Sequence, residues 1–291
     1  MNLTNAPDPL LIGGHKLRCK MKPFVKFLSL LKVPRLALVS VAWVFCLGLA
    51  SAADRVSSRE MVDILAGQLT DALSANQKKF VPEDAVIIEN SISPFVKPTE
   101  RIREGKFVPM VMISEGFIAL ANQVSYAHAR NSSAKGYFDQ FIQNLAKESG
   151  AQALTEPADL TDRARWTLQL SNDQLTQFNQ IVATVIAMDL AHHYLGHYQK
   201  YKNRLTNAQG QAVALNSLLT AEEWEDAAIA GALNALDCSI ATDGIRTLFE
   251  CIEKMPQRPA WTIFFMPESV DSRRLQKRLS KLEKGFFRGR R

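Results

Sequence analysis

The stretch Q-I-V-A-T-V-I-A-M-D-L-A-H-H-Y-L-G-H-Y, from Gln180 to Tyr198, decides how the chain is read. Its first half is almost wholly apolar, and neither Pro nor Gly interrupts it before Gly196. That is the pattern of a buried helix. The second half then carries Asp189, His192, His193 and His197, groups that a buried helix ordinarily excludes. Three of the protein's five histidines fall within these six residues. One reading is a core helix whose last turn holds histidines against its own negative end. The other is chemical. Residues four apart share a helix face, so Met188 and His192 lie one turn apart with Asp189 beside them.

Charge narrows the class of partner. The net charge is +6, but residues 1 to 52 hold seven Lys or Arg against one Asp and so account for all of it. The remaining residues balance 28 bases against 28 acids, which argues against a nucleic-acid binder. The basic start has the form of an export signal. Lys22, Lys26, Lys32 and Arg35 precede an uncharged run from Leu36 to Leu49, and Ala50-Ser51-Ala52 follows as a small-x-small cleavage site. The expectation is a signal peptide over residues 1–52, with Met21 as a second candidate start and an uncleaved anchor as the alternative. A single domain then covers residues 53–291, in the periplasm or secreted. With 47% hydrophobic residues it can build a sizeable core. After cleavage Cys238 and Cys251 remain, and two cysteines in an exported chain point to one disulfide, with two buried thiols as the alternative.

Local signals divide the rest of the chain. Ser57-Ser58-Arg59-Glu60 is a capping box that opens a helix bearing Met61, Ile64, Leu65, Leu69 and Leu73. The runs Ala85 to Ile88 and Lys106 to Ile113 read as strands. Tyr137 to Leu145 fits a helix, residues 150–165 a polar loop, and Ser171 to Asp173 a cap for the central helix. Thr220-Ala221-Glu222-Glu223 is a second capping box, starting a helix to about Leu236. Residues 273–291 hold nine bases and one acid, threaded by Leu275, Leu279, Leu282 and Phe286. That basic amphipathic helix either touches anionic lipid headgroups or packs inward by its leucines.

The segment V-I-A-M-D-L-A-H-H-Y-L-G-H resembles the V-I-A-H-E-L-A-H-H-Y-L-G-H of a gluzincin family, the zinc metallopeptidases that include HtpX, BepA and the CAAX prenyl proteases. In a zincin helix two histidines hold zinc and the glutamate after the first activates water. Here M-D-L-A-H replaces H-E-L-A-H, so Met188 stands in for the first ligand and Asp189 for the base. A thioether is a weak ligand for zinc. Further along, V-M-I-S-E-G-F-I-A-L is similar to the family's I-F-V-T-R-G-L-L, a strand that borders the cleft and pairs with extended substrate. E-E-W-E-D-A-A-I-A-G-A resembles E-F-R-A-D-A-A-G-A, which puts Glu222 in place of the third ligand and Asp226 in place of its supporting carboxylate. Met266 stands where the family's T-H-P segment carries histidine.

The resemblance spans Met61 to Leu279. It implies an α+β, mostly helical, zincin-like metallopeptidase domain with a small sheet beside the motif helix. It further implies a zinc cofactor on His192 and Glu222, Asp189 as catalytic base, and a polypeptide substrate or client. His193 and His197, also four apart, form an alternative metal pair, although Tyr194 between them could not serve as base at neutral pH. Two functions follow: a degenerate, catalytically impaired peptidase that binds polypeptide in the cell envelope, or an active periplasmic endopeptidase using Asp189. An unrelated helical domain would leave Asp189 and Glu222 far apart.

Overall fold

A computed structural model describes residues 57–289, except residues 211 and 269 and the side chain of residue 163. The expected signal peptide lies outside these residues. The architecture is α+β and mostly helical. It comprises α1 (Ser58–Ala72), strands β1 (Val86–Glu89), β2 (Val96–Arg103) and β3 (Lys106–Ser114), then α2 (Glu115–Arg130), α3 (Tyr137–Leu145) and the single turn α4 (Ala158–Thr161). The long helix α5 (Leu168–Tyr194), the short α6 (His197–Tyr201), α7 (Ala221–Asp237), α8 (Asp243–Glu253) and α9 (Ser272–Arg288) complete it. No helix among the described residues is long and apolar enough to cross a membrane.

The central element is longer than its apolar half. α5 runs for 27 residues, about 40 Å at 1.5 Å per residue. Thr167 caps it, its hydroxyl accepting the Leu170 N–H at 3.1 Å, so the helix begins before the expected Ser171–Asp173 cap. From Ile181 to His193 every residue is buried, because α1, α2, α7 and α8 all pack around it. Two glycines permit the close approaches. A Cβ on Gly231 of α7 would lie 2.5 Å from the Met188 nitrogen, and one on Gly244 of α8 would lie 2.5 Å from the Gln180 Cβ. The Thr220–Glu223 capping box forms in full, and Ser57 caps α1 by accepting the Glu60 N–H. On α1 the buried stripe is Val62, Leu65 and Leu69, whereas Ile64 is exposed.

The sheet has the order β1–β3–β2, with β1 parallel and β2 antiparallel to β3. Glu104 and Gly105, at φ 51° and 75°, form the tight two-residue turn that joins β2 to β3. The run Lys106 to Ile113, similar to a family strand that pairs with extended substrate, is the middle strand here. β1 and β2 are the edges, and the sequence of β2, V-K-P-T-E-R-I-R, conceals its place: half of its residues are charged, and Pro98 is tolerated because edge strands need not donate on both sides. One face of the β2–β3 ribbon packs inward through Val96, Pro98, Val111 and Ile113. Continued outward, that face ends in the cross-strand pair Ile102 and Phe107, 65% and 68% exposed.

Two further expectations resolve at the C-terminal side. Among the described residues Cys238 and Cys251 form no disulfide with each other. Cys251 is buried on the core side of α8, while Cys238, at the end of α7, turns to the Gln68 carbonyl of α1 at 3.3 Å. The two face different neighbours. α9 packs Leu275 and Leu279 against α7 and α8, and Arg278 and Arg274 pair with the buried Glu225. Leu275 and Leu279 of its apolar stripe are thus used internally, while Lys277, Lys281, Lys284 and Arg288, with Phe287 among them at 40% exposure, meet solvent.

Candidate functional site

α5 ends at Tyr194, and Gly196 turns the chain with φ 81°, a left-handed conformation that suits glycine. The turn changes which histidines meet. His193 and His197 do not share one continuous helix face. Instead α6 folds back so that the His197 Nδ1 lies 3.1 Å from the His192 Nδ1, one of them carrying the proton that the other accepts. His193 points to the sheet and donates its Nε2–H to the Met110 carbonyl at 2.8 Å. The alternative metal pair is therefore divided between two different neighbours.

The remaining motif groups are enclosed. Met188, Asp189 and His192 are buried, with Gly231 of α7 pressed against the Met188 backbone. Among the described residues Asp189 has no hydrogen-bond or ion-pair partner, and burial raises its carboxyl well above the ordinary value. Burial lowers His192 to about 3, with His197 and His193 adding to the effect. His193 and His197 are also held below the usual imidazole range by burial. The Met110 carbonyl opposes this at His193, and Glu223 and Asp226 oppose it at His197. At all three imidazoles the shift favours the neutral form.

Glu222 lies elsewhere. Gly231 meets α5 at Met188, while Glu223 pairs with Lys200 and Tyr201 beyond the end of α5, so α7 runs antiparallel to it. Glu222 precedes Gly231 by nine residues, about 13 Å of helix, whereas His192 is only about 6 Å past Met188. The carboxylate overshoots the imidazole by roughly 7 Å along the axes and faces solvent, as Asp226 does one turn later. No group of three His, Cys, Asp or Glu among the described residues is placed to hold a metal. The residues present thus do not fit a catalytic zinc, which takes three protein ligands and a water. Met266, in the place of the family's histidine, is buried in the apolar core.

Two features escaped the sequence reading. The Glu223 carboxylate accepts from the Lys200 ammonium at 2.6 Å, the Tyr201 hydroxyl at 3.0 Å and the Thr220 N–H at 2.9 Å, tying α6 to α7. The capping box marked this residue but not its tertiary partners. The second feature is β2 itself. Its outer edge makes no backbone hydrogen bond among the described residues, and Glu100 on it accepts from Gln199 of α6 at 2.7 Å. A free strand edge therefore runs past the end of the motif helix. Compared with family models, with curated proteins and with solved structures, the chain matches none.

Proposed function

We propose that this chain is an exported, non-catalytic protein of peptidase-like design that binds extended polypeptide along the outer edge of β2. The observation that carries the reading is the Ile102–Phe107 pair, apolar and mostly exposed, at the end of that unpaired edge. A strand edge offers alternating N–H and C=O groups to any extended chain, whatever its sequence. Ile102 and Phe107 add apolar area that such a segment would cover. Arg101 and Lys106, exposed on the neighbouring positions, favour segments with acidic residues. Against hydrolysis stand the solvent-facing Glu222 and the enclosed Asp189, since a general base must reach the proton it removes.

The test uses a permanently unfolded reporter, reduced and carboxymethylated α-lactalbumin, in fluorescence anisotropy. Wild-type protein binds it, and the double variant Ile102→Ser, Phe107→Ser binds at least tenfold more weakly. That factor is about 1.4 kcal/mol, less than burying either side chain contributes. Both residues are exposed, so the variant keeps its fold. Unchanged affinity in the variant, or zinc-dependent cleavage of casein by the wild type, overturns the proposal.

A further inference from the structure

α9 carries seven Lys or Arg against one acid, Glu283, and the structure sorts them by partner. Arg274 and Arg278 pair with Glu225 of α7, and Arg273 pairs with Asp271 at the helix start at 2.8 Å. Glu283 is turned to the start of α8, accepting from the Thr242 hydroxyl at 2.6 Å and from its N–H at 3.2 Å. Lys277, Lys281, Lys284 and Arg288 are left. All four are exposed, and among the described residues none of them makes an ion pair.

Helical spacing puts these four cations in one row. At about 100° per residue they fall within roughly 60° of arc, and the row is about 16 Å long. Leu275 and Leu279 project from the opposite side and are wholly buried, α9 packing there against α7 and α8. That packing fixes which side of the helix faces out. Phe287, three residues past Lys284, flanks the row at 40% exposure. The row is also a local excess, since residues 53–291 balance 28 bases against 28 acids. Lys277 with Lys281, and Lys284 with Arg288, are like charges four apart, a spacing that destabilises a helix. The chain thus holds a row of cations that its own acids do not offset.

The chemistry of the partner follows from the row and its flank. Three of the four cations are lysines, compact charges on flexible stems, which suit a diffuse anionic surface better than the bidentate reading of a single phosphate. A nucleic acid would call for a basic domain, and this one is neutral outside the row. An exposed aromatic ring beside lysines is the arrangement that settles at the boundary between lipid headgroups and acyl chains. We propose that the outer face of α9 docks on an anionic lipid bilayer through Lys277, Lys281, Lys284 and Arg288, with Phe287 entering the headgroup layer. The contact is peripheral, because Leu275 and Leu279 remain in the core. It is independent of the polypeptide-binding edge.

The experiment reads the acetylation rate of each lysine of the full chain by mass spectrometry, with and without vesicles. The vesicles are an equal mixture of phosphatidylglycerol and phosphatidylcholine, or phosphatidylcholine alone. Lys106, exposed on the sheet, is the internal reference, so capture of the chain by residues outside α9 is told apart. The anionic vesicles are expected to protect Lys277, Lys281 and Lys284 at least fivefold and to leave Lys106 unprotected, while phosphatidylcholine protects none. Salt at about 1 M, which screens charges beyond roughly 3 Å, removes the protection. Each basic residue near such a surface strengthens binding roughly fivefold. The double variant Lys281→Gln, Lys284→Gln should therefore need at least tenfold more lipid to protect Lys277. Phe287→Ser should need at least threefold more. All three residues are exposed, so both variants keep the fold. Equal protection by phosphatidylcholine, no protection on α9, or an unchanged lipid requirement in either variant overturns the proposal. So does equal protection by duplex DNA or polyglutamate at matched charge, which would make this face a general polyanion site.

Discussion

The C-terminal half of α5 and the hollow under α3 both bury polar groups, and they differ in free volume. Around Asp189 and His192 the packing is closed, with a neighbouring helix backbone lying against Met188. Around Gln123 one wall opens onto a hollow of roughly 470 Å³. A buried polar residue therefore does not mark a working site unless a reactant can stand beside it. By that criterion the hollow beside α2 has room for a small molecule, whereas Met188, Asp189 and His192 are buried.

The contrast can be broken at its tightest point first. Gly231→Ala places a Cβ 2.5 Å from the Met188 nitrogen, so α5 and α7 must separate. Urea unfolding is expected to show a loss of roughly 3 kcal/mol, the upper end for overpacking a core. A loss below about 0.5 kcal/mol, the ordinary range of a neutral substitution, would mean that the helices are not in close contact. Restoring the motif with Met188→His and Asp189→Glu tests the same closure chemically. The double variant is expected to lose about 2 kcal/mol by placing larger polar groups in a packed core, and to bind no stoichiometric zinc by elemental analysis. Zinc at one equivalent together with casein cleavage would show that Glu222 can swing in after all.

The latch on this region has a pH signature. Burial opposes ionisation of Glu223, but Lys200, Thr220 and Tyr201 hold its pKa at about 2, below the ordinary 4.5. A depressed carboxyl stabilises the fold above pH 4.5 and loses that contribution as pH falls toward 2. Glu223→Gln should lower stability at pH 7 by roughly 1 kcal/mol, the worth of a cap with a partly exposed ion pair. It should also flatten the wild-type decline between those pH values, which urea midpoints at pH 7 and pH 3 will read. The smallest effect is expected in the open region. Gln123→Leu removes an unsatisfied amide without filling the hollow, so it should stabilise the ligand-free protein by about 1 kcal/mol. A destabilisation in thermal melts would show that ordered water already satisfies Gln123.

Local chemistry was readable wherever its cause was local. The Ser57 and Thr220 caps, the apolar run that becomes the middle of α5, and the helix from Tyr137 to Leu145 all appear where short-range spacing put them. The mistakes share a cause as well. β2 was missed because edge strands tolerate the charge and proline that disguise them. Cys238 and Cys251 face different neighbours because direction, unlike spacing, is set by what each helix packs against. His193 and His197 parted because one left-handed glycine interrupted the helix between them.

Apolar periodicity and capping signals located the buried centre of α5 and several helix starts, because burial pattern and capping act over a few residues, while the α+β, mostly helical domain was what the resemblance implied. Which polar groups meet, and which of them face empty space, was decided by how α2, α3, α5 and α7 settle against each other. Those approaches depend on contacts between residues dozens of positions apart, such as Gly231 with Met188 and Glu223 with Lys200, and no window along the chain contains both partners.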